Sequence, residues 1–274
     1  MTLADVERRL LRRYGERVRG WLDGLPALLR RLAGEWDLDL GEPLPGGNSA
    51  ASVAAVRAGA PVVLKVFPDV ERARAQVAVL RAFLPSGRVP AVLAAGGGAF
   101  VVEWVAGEPG WPPVGEFAAL LADLHSVPVV DRPRLGPGAP SFVGRARPDG
   151  PVTAEDLAAA GRRCREMASS VDRHVLLHGD LHAGNVLVGP GGAAVVIDPH
   201  GTVGEPEFDA VDHVLGGEGI ERRRDALLAA TALRPERLEG WCRAVAAIVA
   251  LGAHRQGRPT GELLDYARSA PRSR

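Results

Sequence analysis

The spacing of apolar residues changes character three times along the chain. Leu3, Val6 and Leu10, then Val18, Trp21, Leu22, Leu25, Leu28, Leu29 and Leu32, recur at helical intervals and predict two helices over 3–34. Gly20 and the Gly24-Leu25-Pro26 stretch predict the break between them. From Leu38 the pattern shortens to β-like runs over 40–44, 52–57 and 61–67, separated by the turn-like segments PGGNS and AGA. A helix follows over 69–84, then two strands over 89–94 and 99–105 around Gly96-Gly97-Gly98. Beyond Gly107-Glu108-Pro109-Gly110 the pattern is mainly helical, over 117–125, 153–170, 206–214, 220–230, 235–255 and 261–268. Thr153 and Asp156 form a capping box at the second of these. Two short strands, 185–188 and 193–197, interrupt the helices, and a Pro/Gly-rich loop fills 127–151. The order predicts an α+β chain with a small β-rich N-lobe (1–105) carrying one main helix on its sheet. A larger, mainly helical C-lobe (106–274) follows, and a cleft between lobes is where ligands usually bind.

Composition narrows the function classes. Lys+Arg and Asp+Glu both number 33, so the chain lacks the basic excess of a nucleic-acid binder. Two cysteines, Cys164 and Cys242, neither in a CxxC, make neither a disulfide framework nor a structural zinc site. No apolar run approaches the ~20 residues of a membrane span, and the polar start MTLADVERRL is unlike a secretory signal. A cytoplasmic location is the expectation. Lys65 is the single lysine; every other basic residue is arginine. It sits in Val62-Val63-Leu64-Lys65-Val66, where a charge is costly unless paired.

The densest chemistry lies in His178-Gly179-Asp180-Leu181-His182-Ala183-Gly184-Asn185, followed by Asp198 at the end of an apolar strand. Asp180 and Asn185 stand in the D-x4-N spacing of a kinase catalytic loop. Phosphoryl transfer needs a carboxylate to orient a hydroxyl and take its proton. It also needs hard oxygen ligands for Mg²⁺, which an Asn oxygen and an Asp carboxylate supply. Lys65 occupies the place of a phosphate-contacting lysine, and the glycines of Pro45-Gly46-Gly47-Asn48-Ser49 either admit phosphates to backbone N–H groups or form a plain hairpin turn. A metal-hydrolase reading of His178-x-Asp180-x-His182 would leave Lys65, the single lysine, unexplained.

The chain resembles the aminoglycoside phosphotransferase family, in particular the streptomycin-type kinases grouped with hydroxyurea phosphotransferases. The resemblance rests on LLHGDLHAGNVLV, VVIDPHGTVGEPEFDAV, VVLKVF and FAALLADLHSVP, and runs from about Trp36 to Gly257. It implies a two-lobe protein-kinase-like fold, Mg·ATP as donor and a small-molecule alcohol as acceptor. Asp180 would be the catalytic base, Asn185 and Asp198 the Mg²⁺ ligands, Lys65 the phosphate contact, and the Glu103-Trp104-Val105 backbone the adenine hinge. His178 would support the loop. Where relatives place a Glu that pairs with the lysine, this chain has Gln76; Glu71 at the helix start, or Asp198, is then the alternative partner of Lys65.

Acceptor recognition is read from the run 201–221, which carries Glu205, Glu207, Asp209, Asp212, Glu218 and Glu221 and no Lys or Arg. Such a wall suits a polycationic aminoglycoside; the other reading is a solvated face in which Glu205–Asp209 hold the C-lobe together. His182, His200 and His213 are either ligands or structural. The sequence thus points to an ATP-dependent phosphotransferase acting on a streptomycin-type acceptor. A kinase of hydroxyurea, a sugar or a secondary metabolite, and a nucleotide-binding protein without turnover, are the alternatives.

Overall fold

The computed structural model describes residues 3–45, 47, 49–135, 144 and 146–269. The chain divides into two compact units, Met1–Leu84 with Val89–Val105 and Pro85–Arg88 with Ala106–Arg274.

The first unit opens with α1 (Leu3–Tyr14), a 3-10 turn over Gly15–Val18, and α2 (Arg19–Trp36). The break therefore falls at Gly15, whose φ of 68° favours glycine, and not at Gly20 or Gly24-Leu25-Pro26, which lie inside α2. Burial of Leu22, Leu25, Leu29 and Leu32 along one face outweighs the poor helix propensity of Gly20, Gly24 and Pro26. An antiparallel sheet in the order β1-β2-β3-β5-β4 follows. Its strands are β1 (Asp39–Pro43), β2 (Ala51–Arg57), β3 (Ala60–Val66), β4 (Val92–Gly96) and β5 (Ala99–Glu103). Ala58 and Gly59, at φ 49° and 80°, make the two-residue turn between β2 and β3.

Alternation divides the sheet's side chains between two faces. Val53, Leu64 and Val101, aligned across three strands, join the apolar faces of α1 and α2 in one core. Ser52, Lys65 and Phe100 are aligned one residue further on, so Lys65 points to the opposite face. The helix α3 (Val70–Phe83) is capped by Asp69, whose side chain accepts the Arg72 N–H at 3.1 Å.

In the second unit α4 (Val114–His125) precedes α5 (Ala154–Ser169), where Thr153 and Asp156 form the expected reciprocal capping box. Short strands flank these helices: β6 (Glu108–Pro109) pairs with β8 (Val186–Val188), which pairs with β9 (Ala194–Val196). Separately, β7 (Val175–Leu177) pairs antiparallel with β10 (Thr202–Gly204). The remaining helices are α6 (Pro206–Asp209), α7 (Val211–Leu215), α8 (Ile220–Ala230), α9 (Pro235–Arg255) and α10 (Gly261–Arg268). The long α9 carries the fully buried Trp241. Among the described residues no helix is long and apolar enough to cross a membrane.

Candidate active site

The buried strand β7 delivers the chain into the loop at His178. His178 is fully buried: its Nε2 donates to the Ile197 carbonyl at 2.9 Å, and its Nδ1 accepts the Asp180 N–H at 3.3 Å. Burial pushes the imidazole's pKa down, against the pull of Asp209, so the ring is neutral with its proton on Nε2. Asp209, on α6, holds the loop from below. Its Oδ2 accepts the His178 N–H at 2.8 Å, its Oδ1 accepts the Gly179 N–H at 2.9 Å, and His125 Nε2 lies 3.1 Å from Oδ2. Burial alone would raise the pKa of Asp209, but the His125 contact and the backbone donors hold it below its ordinary value.

Asp180 is half-exposed at the crest of the loop. Asn185 is buried beneath it, and its Nδ2 donates to the Asp180 carbonyl at 2.8 Å and reaches Asp180 Oδ2 at 3.4 Å. That use of the NH₂ leaves the Asn185 side-chain oxygen as its open group. The β8–β9 hairpin then brings Asp198 alongside: Val186 faces Val196, and the Ile197 N–H donates to the Asn185 carbonyl at 3.0 Å. Asp198 sits at φ 59°, a left-handed conformation that is costly for a non-glycine residue and more so before Pro199. Asn185 and Asp198 offer hard oxygen donors of the kind Mg²⁺ takes, and Mg²⁺ uses few protein ligands because waters and phosphates complete its shell.

The first unit carries the other predicted residues. Lys65, half-buried on β3, shares its face with Ser52 and Phe100. Gln76 is half-buried midway along α3, whereas Glu71 is exposed in its first turn and bound to Arg74 at 2.7 Å. Glu103 ends β5, its carboxylate accepting the Ala91 N–H at 2.9 Å; Trp104 is exposed and Val105 half-buried. Gly47 takes φ 71°, and the Ser49 carbonyl accepts from the Tyr14 hydroxyl at 3.1 Å. Gly46 and Asn48 lie outside the described residues.

The acidic wall needs correction. Glu205 and Glu207 are fully buried and Asp209 nearly so, and all three are engaged by the protein itself. Glu205 accepts from Arg234 at 2.7 Å, Arg237 at 2.8 Å and the Trp241 indole at 2.7 Å. Glu207 Oε1 accepts from the Arg234 backbone at 3.0 Å, and Asp209 anchors the loop. These carboxylates hold 205–209 against α9 and β7, which excludes them from contact with an acceptor. Asp212, on α7, differs: it is half-buried, within electrostatic reach of Asp180 and His182, and its side chain makes no hydrogen bond among the described residues. Burial raises its pKa to about 6, with Asp180 and Asp209 adding to the shift. Its place in the acidic run was visible in sequence, but nothing there separated it from its buried neighbours.

Residues 41–246 match the phosphotransferase enzyme family. The chain belongs to that family. It is 31% identical over 259 residues to a streptomycin 6-kinase of Streptomyces griseus, covering 83% of this chain and 82% of that one. To a hydroxyurea phosphotransferase of Kitasatospora aureofaciens it is 32% identical over 257 residues, covering 84% and 74%. Among solved structures, the choline kinase LicA of Streptococcus pneumoniae aligns with a TM-score of 0.64 at 16% identity, covering 89% of this chain and 96% of that one. The aminoglycoside phosphotransferase APH(4)-Ia aligns with a TM-score of 0.62 at 16% identity, covering 89% and 94%. The fold is thus the α+β, protein-kinase-like one that the motifs implied, with a β-sheet N-lobe and a helical C-lobe.

Proposed function

We propose that this family member transfers the γ-phosphate of ATP to an alcohol group of a small cationic molecule of streptomycin type, inactivating it as an antibiotic. The observation that carries the reading is the half-exposed Asp180 carboxylate, held by Asn185 over a loop that Asp209 pins from beneath. Asp180 takes the proton of the acceptor hydroxyl as its oxygen attacks the γ-phosphorus. The bond to the β-phosphate oxygen breaks, and its electron pair leaves with ADP. Asn185 and Asp198 would hold Mg²⁺, which when bound neutralises phosphate charge. Lys65 contacts the α/β-phosphates, with Gln76 as its helix neighbour; the backbone of Gly46, Gly47, Asn48 and Ser49 covers them, and that of Glu103-Trp104-Val105 receives adenine. His182, half-exposed beside Asp180, and Asp212 face the acceptor.

The test is ADP release by the purified chain with Mg·ATP and streptomycin, with the product weighed by mass spectrometry. One phosphoryl group added per ADP formed is the expected result. Turnover with hydroxyurea or a sugar in place of streptomycin would keep the kinase and change its acceptor. Nucleotide binding with no turnover for any acceptor would leave a binding protein.

A further inference from the structure

We propose that His200 is a positioning residue for Asp180, holding one oxygen of its carboxylate so that the other takes the acceptor's proton; the proposal rests on the phosphotransfer reading above. Three side-chain nitrogens gather around a single atom, the amide of Asn185 at hydrogen-bond distance and two imidazoles just beyond it. Asp180 Oδ2 lies 3.4 Å from Asn185 Nδ2, 3.6 Å from His200 Nε2 and 3.9 Å from His182 Nε2. Among the described residues no side chain is bonded to Oδ1. The χ2 torsion of an aspartate is broad and roughly two-fold, so an unheld carboxylate exchanges its oxygens and wanders in angle. Polar groups gathered around one oxygen bias that rotation, so that the other is the one turned to the acceptor hydroxyl.

The backbone is built to put His200 there. After the left-handed Asp198 and Pro199 the chain doubles back, and the N–H groups of His200 and Gly201 both donate to the His178 carbonyl, at 2.8 and 3.2 Å. On the other side, the Arg132 guanidinium reaches the carbonyls of Gly201 at 3.4 Å and His200 at 3.5 Å. The root of the side chain is therefore tied to the loop that carries Asp180, while its ring is 48% exposed and packs into no core. His182 is placed by a different device: its Nδ1 accepts the Gly184 N–H at 3.0 Å, so its proton sits on Nε2, toward Asp180. The left-handed conformation at Asp198 thus returns the chain and sets an imidazole beside Asp180.

The experiment compares His200→Ala, His200→Gln, Asp180→Asn and the Asp180→Asn/His200→Ala double variant, with Mg·ATP and streptomycin. Misplacing a reacting group by an ångström costs about a hundredfold, so His200→Ala is expected to lower kcat roughly ten- to a hundredfold with KM for ATP within about twofold. Glutamine, which keeps an N–H donor at similar reach, is expected to recover at least about fivefold of that loss. In the Asp180→Asn background, adding His200→Ala should change the residual rate less than about twofold, because the histidine then has no base to position. Wild-type kcat in His200→Ala, a loss in KM for ATP rather than in kcat, no recovery by Gln, or an equal loss on top of Asp180→Asn would each overturn the proposal. Wild-type turnover in Asp180→Asn, or no turnover by the unaltered protein with any acceptor, would instead sink the reading on which it rests.

Discussion

Asp209 binds the loop at Gly179 and at the residue before it with its two carboxylate oxygens, one backbone N–H on each, at 2.9 and 2.8 Å. A residue that looks in sequence like part of an acidic binding face is therefore the pedestal of the loop that carries Asp180. Asp209→Ala leaves two buried N–H groups without an acceptor, at about 1–3 kcal/mol each. Urea unfolding should show that loss, and turnover should fall with it. Because its folded pKa lies below the unfolded value of about 3.9, the carboxylate's contribution is complete above that value. It is lost as pH falls through the lower folded pKa, and Asp209→Asn should flatten that acid limb of the stability profile.

Glu205 belongs to the same correction. It is surrounded by Arg234, Arg237 and Trp241, and Glu205→Gln leaves the largely covered Arg237 guanidinium without a carboxylate, while Arg234 keeps Asp172 and Glu207. Breaking such a pair costs about 3–5 kcal/mol. Thermal unfolding should report it, whereas KM for streptomycin in the folded fraction should stay within about twofold, since the side chain does not meet the acceptor.

Asp212 should behave in the opposite way. Its pKa of about 6 lies above the unfolded value, so its contribution turns unfavourable as pH rises from about 4 to about 6. Discounted for its partial exposure, relief of that penalty by Asp212→Asn should stabilise the protein by about 1–2 kcal/mol at pH 8. The same variant should raise KM for streptomycin roughly tenfold, the worth of about 1.4 kcal/mol of lost charge pairing. Stability measured by urea and KM by initial rates must both rise for this account to stand, stability gained where affinity is lost.

His213 gives a separate pH signature. Its ring stacks on Phe117 at 4.2 Å, its Nδ1 is buried without a partner among the described residues, and burial lowers its pKa to about 4, with Arg223 adding. The unfolded chain takes the proton first, near 6.5, so stability is full above that pH and is lost between about 6.5 and 4. The slope amounts to something on the order of 3 kcal/mol. His213→Phe keeps the stack and should remove most of it; an unchanged profile between pH 4 and 6.5 would contradict the assignment.

How far the fold could be read from the chain depended on whether an element shows its apolar pattern within its own residues. The helices α8, α9 and α10 and the strands β2 and β3 follow their apolar periodicity closely, because each has seven residues or more in which to show it. By contrast, β7 and β10 have three residues each, and Thr202-Val203-Gly204 has no strand pattern apart from its partner Leu177-Leu176-Val175. Within the site, Asp180, Asn185 and Asp198 were legible because D-x4-N and a strand-end Asp are local patterns. Asp209 and Glu205 were not, since their burial depends on residues 84 and 36 positions away, His125 and Trp241. His200 was visible only as one histidine among several; its relation to Asp180 comes from a turn that the left-handed Asp198 creates.

The assignment of Asp180 as base is tested most directly by Asp180→Asn, measured beside the unaltered protein for streptomycin-dependent ADP release and for Mg·ATP affinity by calorimetry. A positioned general base is worth about 10²–10⁴ in rate. The account predicts a kcat lowered by that factor, with Mg·ATP affinity unchanged within a few-fold. Turnover within threefold of the unaltered protein would contradict it.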